Sequence, residues 1–272
     1  MESLADIKSK DPAPIAPGPR EVPRWKRVLD TALILLAMPL LLPLMLFIAV
    51  LVRCVSAGPV LFRQERVGHL GSRFRCFKFR TMQVGNNAAV HQGHLKELMD
   101  SNAPMVKMDV KGDARIIPFG VPLRASGLDE LPQIFNVLFG QMSLVGPRPC
   151  VPYEYDSYLP WQKERFDVLP GLTGFWQVSG KNNTTFEEMM RLDIYYARNS
   201  SVGFDLRIIF KTVPALLIQM FETRRRRKAE QRATLNGGGG GAATSPALLR
   251  SGTNLPTTQF KMTARTKNQE AL

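Results

Sequence analysis

The chain's strongest pattern is an apolar run from Thr31 to Val52 that contains no charged residue. As a straight helix, 22 residues would reach about 33 Å, enough for a hydrocarbon core of about 30 Å. The run is too long for a signal peptide, and Arg53 stands between it and the small residues Ser56, Ala57 and Gly58. Pro39 and Pro43 lie mid-run, where each removes a backbone donor and predicts a bend. Arg20, Arg24, Lys26 and Arg27 precede the run. Arg53, Arg63, Arg66, Arg73, Arg75, Lys78 and Arg80 follow it. Basic residues on both sides carry the cytoplasmic signature. A re-entrant helix over about 28–53 and a plain span both accommodate these residues.

Beyond the run, Pro59–Val67 and Arg73–Arg80 alternate as strands around a Gly68-His69-Leu70-Gly71 turn, which predicts a β-hairpin. Period-two alternation groups Phe74, Cys76, Lys78 and Arg80 on one face and Phe77 and Phe79 on the other. Lys78 and Arg80 would then point at one ligand, or line a solvated face. Helical spacing follows over Ala88–Asp100, where His91 and His94 lie three apart. A solvated face is the plainer reading of that pair, since no third metal ligand is evident. Further helices are predicted over Leu131–Phe139, Phe186–Arg198 and Phe204–Phe221. The last is amphipathic and runs into Arg224-Arg225-Arg226-Arg227-Lys228. That combination suits an anionic bilayer surface, and ordinary core packing explains its apolar face as well. The proline-rich residues 1–23 and the glycine-rich, polar residues 223–272 lack sustained periodicity and read as disordered ends. Between them, residues 24–222 predict one α+β domain with short and amphipathic helices at a membrane face.

Charge sharpens this picture. The chain has 36 Lys+Arg against 23 Asp+Glu, a formal net charge of +13. Of that, +8 lies from Arg224 onward and +5 before it. A basic balance points to phosphorylated substrates, a lipid surface or nucleic acid. The tail location and the lack of a nucleic-acid-binding signature disfavour the last. Cys54, Cys76 and Cys150 are too few and too far apart for a disulfide scaffold or a zinc site of usual spacing. Free thiols fit a reducing compartment.

The common phosphate-loop, dinucleotide, serine-hydrolase and zinc-protease motifs are absent. Two stretches stand out instead. In Arg124-Ala125-Ser126-Gly127-Leu128-Asp129-Glu130-Leu131-Pro132, the proline predicts a helix start near Leu128–Leu131. Asp129 and Glu130 then sit at or just before that start, where adjacent carboxylates can hold one Mg²⁺ while one stays free to react. A merely acid-decorated helix end is the common alternative. In Met142 to Pro149, two prolines bracket Arg148 and preset a loop suited to bidentate phosphate recognition.

These stretches occur in order with Lys26-Arg27-Val28-Leu29-Asp30, Gly58 to Gly68, Phe77-Lys78-Phe79-Arg80-Thr81-Met82 and Pro170 to Lys181. Together they resemble the bacterial sugar transferases, the monotopic phosphoglycosyl transferases that act on polyprenyl phosphate. The resemblance covers about residues 24–222. It implies a re-entrant helix at the cytoplasmic face of the bacterial inner membrane, a UDP-sugar donor, an undecaprenyl-type phosphate acceptor and Mg²⁺. Asp129 matches the family's nucleophile and Glu130 its partner, with both at the metal. Lys78, Arg80, Arg124 and Arg148 match basic positions expected at the donor's phosphates, and Lys181 stands where the family often has Arg. Lysine keeps that charge but loses the bidentate fork. Gln141 replaces a frequent Asp. A scaffold role in polysaccharide assembly and a membrane-anchored nucleic-acid binder are the rival readings, and the intact dyad weighs against the first. The sequence fixes neither the sugar nor the oligomeric state, and a dimer is compatible with it.

Overall fold

The computed structural model describes residues 4–9, 21–83, 116–180 and 184–237. The predicted helix over Ala88–Asp100, with His91 and His94, and the candidate Lys181 lie outside the described residues. The chain divides into two units, Met1–Gln231 and Arg232–Leu272. Of the second, only the helical residues 232–237 are described.

A short helix, α1 (Leu4–Ser9), precedes the long α2 (Arg24–Val55). The hairpin follows as β1 (Leu61–Val67) and β2 (Arg73–Phe79), antiparallel with Phe62 opposite Lys78 and Arg66 opposite Phe74. Next come α3 (Gly120–Ser126), a 3₁₀ turn at Leu128–Glu130 and α4 (Gln133–Leu138). Strand β3 (Ser143–Val145) then leads to α5 (Pro152–Ser157) and a 3₁₀ segment at Pro160–Phe166. β4 (Gly171–Thr173) pairs parallel with β3. Helices α6 (Phe175–Val178), α7 (Phe186–Asn199) and α8 (Val202–Gly237) complete the order. The mixed helix-and-sheet class predicted from the sequence is what forms.

Helix α2 sets the frame. Its buried residues Lys26, Asp30, Ile34, Met45, Ile48 and Val52 form one stripe at helical spacing. The apolar part of that stripe packs with Phe74, Cys76, Phe79, Ile134, Val137 and Met142 in the main core. The opposite face stays open: Leu36 is 79% and Leu40 76% exposed. By length and composition this helix is apolar enough to cross a membrane. The helix runs continuously through Pro39 and Pro43. Each proline removes only one donor from the ladder, so neither ends the helix.

The start of α2 is tied down by charge. Lys26 Nζ donates to Asp205 Oδ2 at 2.6 Å and to Tyr196 Oη at 2.8 Å, and Tyr196 Oη lies 2.6 Å from Asp205 Oδ1. All three residues are buried, so α2, α7 and α8 are joined in one fully desolvated network. Arg27 donates to the carbonyls of Val137 and Leu138, closing the C-terminal end of α4. Asp30 Oδ1 accepts from Leu144 N at 3.2 Å, which fastens β3 to the same helix.

Two expectations change at the chain ends. Part of the N-terminal stretch read as disordered forms α1, whose Ile7 enters a cluster with Phe186, Met189 and Met190. Lys8 pairs with Glu188 at 3.4 Å, and Arg191 donates to the Lys8 carbonyl. The stretch from residue 223 starts as helix, because α8 continues through Arg224–Lys228 to Gly237. Arg, Lys, Glu, Gln and Ala are strong helix formers. Phe210, Val213, Leu217, Ile218 and Phe221 lie exposed on α8.

Candidate active site

The hairpin delivers Lys78. Alternation along β2 buries Phe74 and Cys76, and Lys78 emerges half-buried on the same side. Asn136 of α4 locks the strand in place. Its Oδ1 accepts from Phe77 N at 3.0 Å and its Nδ2 donates to Arg75 O at 2.8 Å, mimicking the edge of a third strand. Nδ2 also donates to Gln141 Oε1 at 2.7 Å, which gives a use to the residue that departs from the family's Asp.

The carboxylates sit in the 3₁₀ turn Leu128–Glu130, after Gly127 at φ 73°. Pro132 lies just before α4 rather than inside its first turn. With six residues, α4 is too short to supply a sizeable end charge. The local field comes from side chains. Glu130 Oε1 accepts from Lys78 Nζ at 2.9 Å and from Arg148 Nη2 at 2.8 Å, and Oε2 accepts from Arg148 Nη1 at 3.3 Å. The fork from Arg148 is bidentate, with Glu130 as its acceptor. Burial alone would raise the Glu130 carboxyl. The charges of Arg148 and Lys78, with their hydrogen bonds, outweigh it and hold the group well below the usual range. Glu130 in turn raises Arg148 against the opposing effect of burial, and Asp129 adds to the rise. Asp129 is buried, 9% exposed.

The predicted basic set is therefore divided. Lys78 and Arg148 converge on Glu130, next to Asp129. Arg80 does not join them. Its Nη1 and Nη2 donate to Ala57 O and Ser56 O, each at 2.7 Å, where α2 ends. Arg80 N still pairs with Val60 O at 2.9 Å just past β2, while the side chain is taken up by the end of α2. In addition, Gly58 at φ 113° leaves space that a Cβ would take, 2.3 Å from Arg80 Nη1. Arg124 reaches Thr81 Oγ1 at 3.4 Å, beside Arg80.

Two arginines that sequence reasoning had not assigned to the site lie behind it. Arg66 Nη1 donates to Pro149 O, and Arg165 Nη2 donates to Arg148 O, both at 3.0 Å. The available signal was the pair of prolines, whose missing N–H groups leave the loop dependent on outside donors. A cavity of about 10 Å³ lined by Arg66, Cys76, Lys78, Gln133, Arg148 and Pro149 shows how tightly this region is filled. A larger groove of about 440 Å³, lined by Glu65, Arg73, Arg75, Phe77 and Phe139 among others, shares no lining residue with the cluster.

No group of three or more His, Cys, Asp or Glu among the described residues could hold a metal. Carboxylates such as those of Asp129 and Glu130 are the donor type that Mg²⁺ takes. That hard cation is commonly held by one or two carboxylates, with waters and substrate phosphates completing its shell.

The bacterial sugar transferase family model matches residues 22–219. The exopolysaccharide production protein ExoY of Sinorhizobium fredii is 36% identical over 198 residues, covering 71% of this chain and 85% of that protein. A UDP-glucose:undecaprenyl-phosphate glucose-1-phosphate transferase of Caulobacter vibrioides is 41% identical over 213 residues, 75% of this chain and 74% of its own length. The undecaprenyl-phosphate galactose phosphotransferase of Salmonella typhimurium is 37% identical over 198 residues, of which this chain spans 40% of the relative's length.

Proposed function

The chain belongs to the bacterial sugar transferase family, and from that premise we propose that it transfers a sugar-1-phosphate from a UDP-sugar to an undecaprenyl-type polyprenyl phosphate. The observation that carries the reading is the grip of Lys78 and Arg148 on Glu130, immediately beside the buried Asp129. Two cations are gathered from sequence positions far apart, in a form that can be passed to phosphate oxygens.

The reaction divides into two displacements at one phosphorus. A carboxylate oxygen of Asp129 attacks the sugar-bearing phosphorus of the donor. The bond from that phosphorus to the bridging oxygen breaks, and UMP leaves with the electron pair. The resulting acyl phosphate is then attacked by an oxygen of the polyprenyl phosphate. The Asp129–phosphorus bond breaks, giving the lipid diphosphate sugar and restoring the carboxylate. A covalent carboxylate intermediate splits one transfer between two large substrates into two simpler ones. Lys78 and Arg148 hold the donor's phosphate oxygens in line, which is most of what phosphoryl transfer asks of a protein. Glu130 and Asp129 would hold Mg²⁺, which when bound supplies charge neutralisation at the pyrophosphate. Arg80 serves this reading indirectly, through its hold on the end of α2.

The exposed apolar face of α2, its basic flanks and the exposed apolar residues of α8 support seating at the cytoplasmic face of the inner membrane. There a soluble donor meets a lipid-embedded acceptor. We read α2 as re-entrant, one helix bent at Pro39 and Pro43 so that both ends are cytoplasmic, and the polybasic stretch as facing anionic lipid.

The decisive experiment follows UMP release from a panel of UDP-sugars with undecaprenyl phosphate, for the wild type and Asp129→Asn. The variant should fold normally and lose transfer by at least about a thousandfold, and the wild type should show ping-pong kinetics with a hydroxylamine-sensitive phosphoprotein. Near-normal turnover by Asp129→Asn would remove Asp129 as nucleophile.

A further inference from the structure

The loop that presents Arg148 is held by more than its prolines. Pro147 and Pro149 have no N–H, so the loop cannot secure itself with its own backbone donors at those positions. Four successive carbonyls are instead held from outside. Pro147 O accepts from Gly171 N at 2.9 Å and Cys150 O from Val67 N at 2.9 Å. Between them, Arg148 O accepts from Arg165 Nη2 and Pro149 O from Arg66 Nη1, each at 3.0 Å. Backbone N–H groups hold the two outer carbonyls, and guanidinium groups hold the two inner ones.

Each guanidinium is itself anchored. Arg165 pairs with Asp193 Oδ2 at 2.6 Å, with both side chains 2% exposed. Its Nη1 faces Tyr158 Oη at 3.4 Å, and its Cζ lies 5.6 Å from the Phe166 ring centroid. Arg66 donates through Nη2 to Gln64 Oε1 at 2.6 Å. A planar fork can grip an anchor and a carbonyl at the same time, in fixed relative geometry. A lysine ammonium on a flexible stem cannot reproduce both contacts in register. Through these forks the loop is referenced to α7 on one side and to the hairpin on the other.

We infer that Arg66 and Arg165 are positioning residues, which set the direction of Arg148 by fixing the carbonyls at and after it. This rests on the proposed role of Arg148 as a ligand of the donor's phosphates. Neither residue touches the reacting atoms, and both act through Arg148. The consequence differs from that of an ordinary buried ion pair. A residue that only stabilises the fold changes the unfolding temperature, and its effect does not depend on what occupies position 148. A positioning residue loses its effect once Arg148 is gone.

The test is a double-mutant cycle on the full chain in detergent, with UDP as the probe in calorimetry and both substrates varied in steady-state kinetics. Arg66→Lys and Arg165→Lys should each weaken UDP binding by about tenfold, equivalent to about 1.4 kcal/mol. Each should raise KM for the UDP-sugar and leave KM for the polyprenyl phosphate unchanged. In an Arg148→Ala background the same substitutions should change UDP affinity by less than about twofold. Should Arg165→Lys fail to fold, Arg66→Lys on the hairpin carries the cycle alone. Effects that multiply with Arg148→Ala, or that raise both KM values alike, overturn the inference. If Arg148→Ala alone leaves UDP affinity intact, the donor-phosphate role of Arg148 falls, and this inference falls with it. Multiplying effects would instead overturn the inference and leave that role standing.

Discussion

Glu130→Gln should bind UDP more tightly than the wild type when no divalent metal is present, even as it loses turnover. In the wild type a phosphate approaching Lys78 and Arg148 must displace a carboxylate already bonded at 2.8, 2.9 and 3.3 Å. A hydrogen bond to a charged group contributes about 1.5–3 kcal/mol net, roughly twice a neutral one. Glutamine keeps an acceptor but not the charge, so about half of each of the two cation contacts is lost, about 1.5–3 kcal/mol in all. The side chains of Lys78, Glu130 and Arg148 remain 16%, 21% and 33% exposed, so solvent screening favours the lower end. That corresponds to about a tenfold gain in metal-free UDP affinity. Calorimetry in EDTA measures it directly. The same titration with Mg²⁺ should reverse the order, because the wild-type carboxylate then has a metal to hold and the glutamine does not. Unchanged or weaker metal-free binding by Glu130→Gln would show that Glu130 does not compete with phosphate for these cations.

Three other outcomes follow from the packing and charges. Gly58→Ala places a Cβ 2.3 Å from Arg80 Nη1 at φ 113°, and should lower stability by about 1–3 kcal/mol in thermal unfolding. Lys26→Met leaves Asp205 buried without its cation, 2.6 Å from where Nζ stood. It should cost about 3–5 kcal/mol in denaturant unfolding, most of which Lys26→Met/Asp205→Asn should recover. Because the folded Glu130 carboxyl titrates well below its ordinary 4.5, its stabilisation is complete above that pH and fades as pH falls through the depressed value. Wild type should therefore exceed Glu130→Gln in stability by a constant margin above about pH 4.5, and acid unfolding should show that margin shrinking as the pH falls below it.

Local patterns were legible where a single element decides them. The hairpin, the shared face of Cys76 and Lys78, and the place of Asp129 and Glu130 near a helix start follow from alternation and turn chemistry. The direction of Arg80 was not legible because it depends on the backbone carbonyls of Ser56 and Ala57 at the end of α2. Lys26 read as a topology-setting surface charge. It is buried because Asp205, distant in sequence, meets it. Arg66 and Arg165 escaped notice because their partners are backbone carbonyls, which every residue type possesses. The helical stretch after Phe221 escaped for a different reason: helix propensity leaves no apolar periodicity when one face need not be buried.

The clasp of Arg80 on the end of α2 bears on where the chemistry happens. Arg80 follows Lys78 by two positions, about 7 Å along the chain. With α2 seated in lipid as proposed, the level at which that helix leaves the bilayer is also the level at which Lys78, the lysine proposed to grip phosphate, stands. The hydrophobic helix then acts as a keel, and the guanidinium as the bolt that fixes the working deck above it. A thicker or thinner bilayer would lift or sink the reaction plane relative to the acceptor's headgroup as one rigid displacement. Membrane composition would in this way enter the transfer rate through altitude alone, without any bulk lipid approaching the reacting phosphorus.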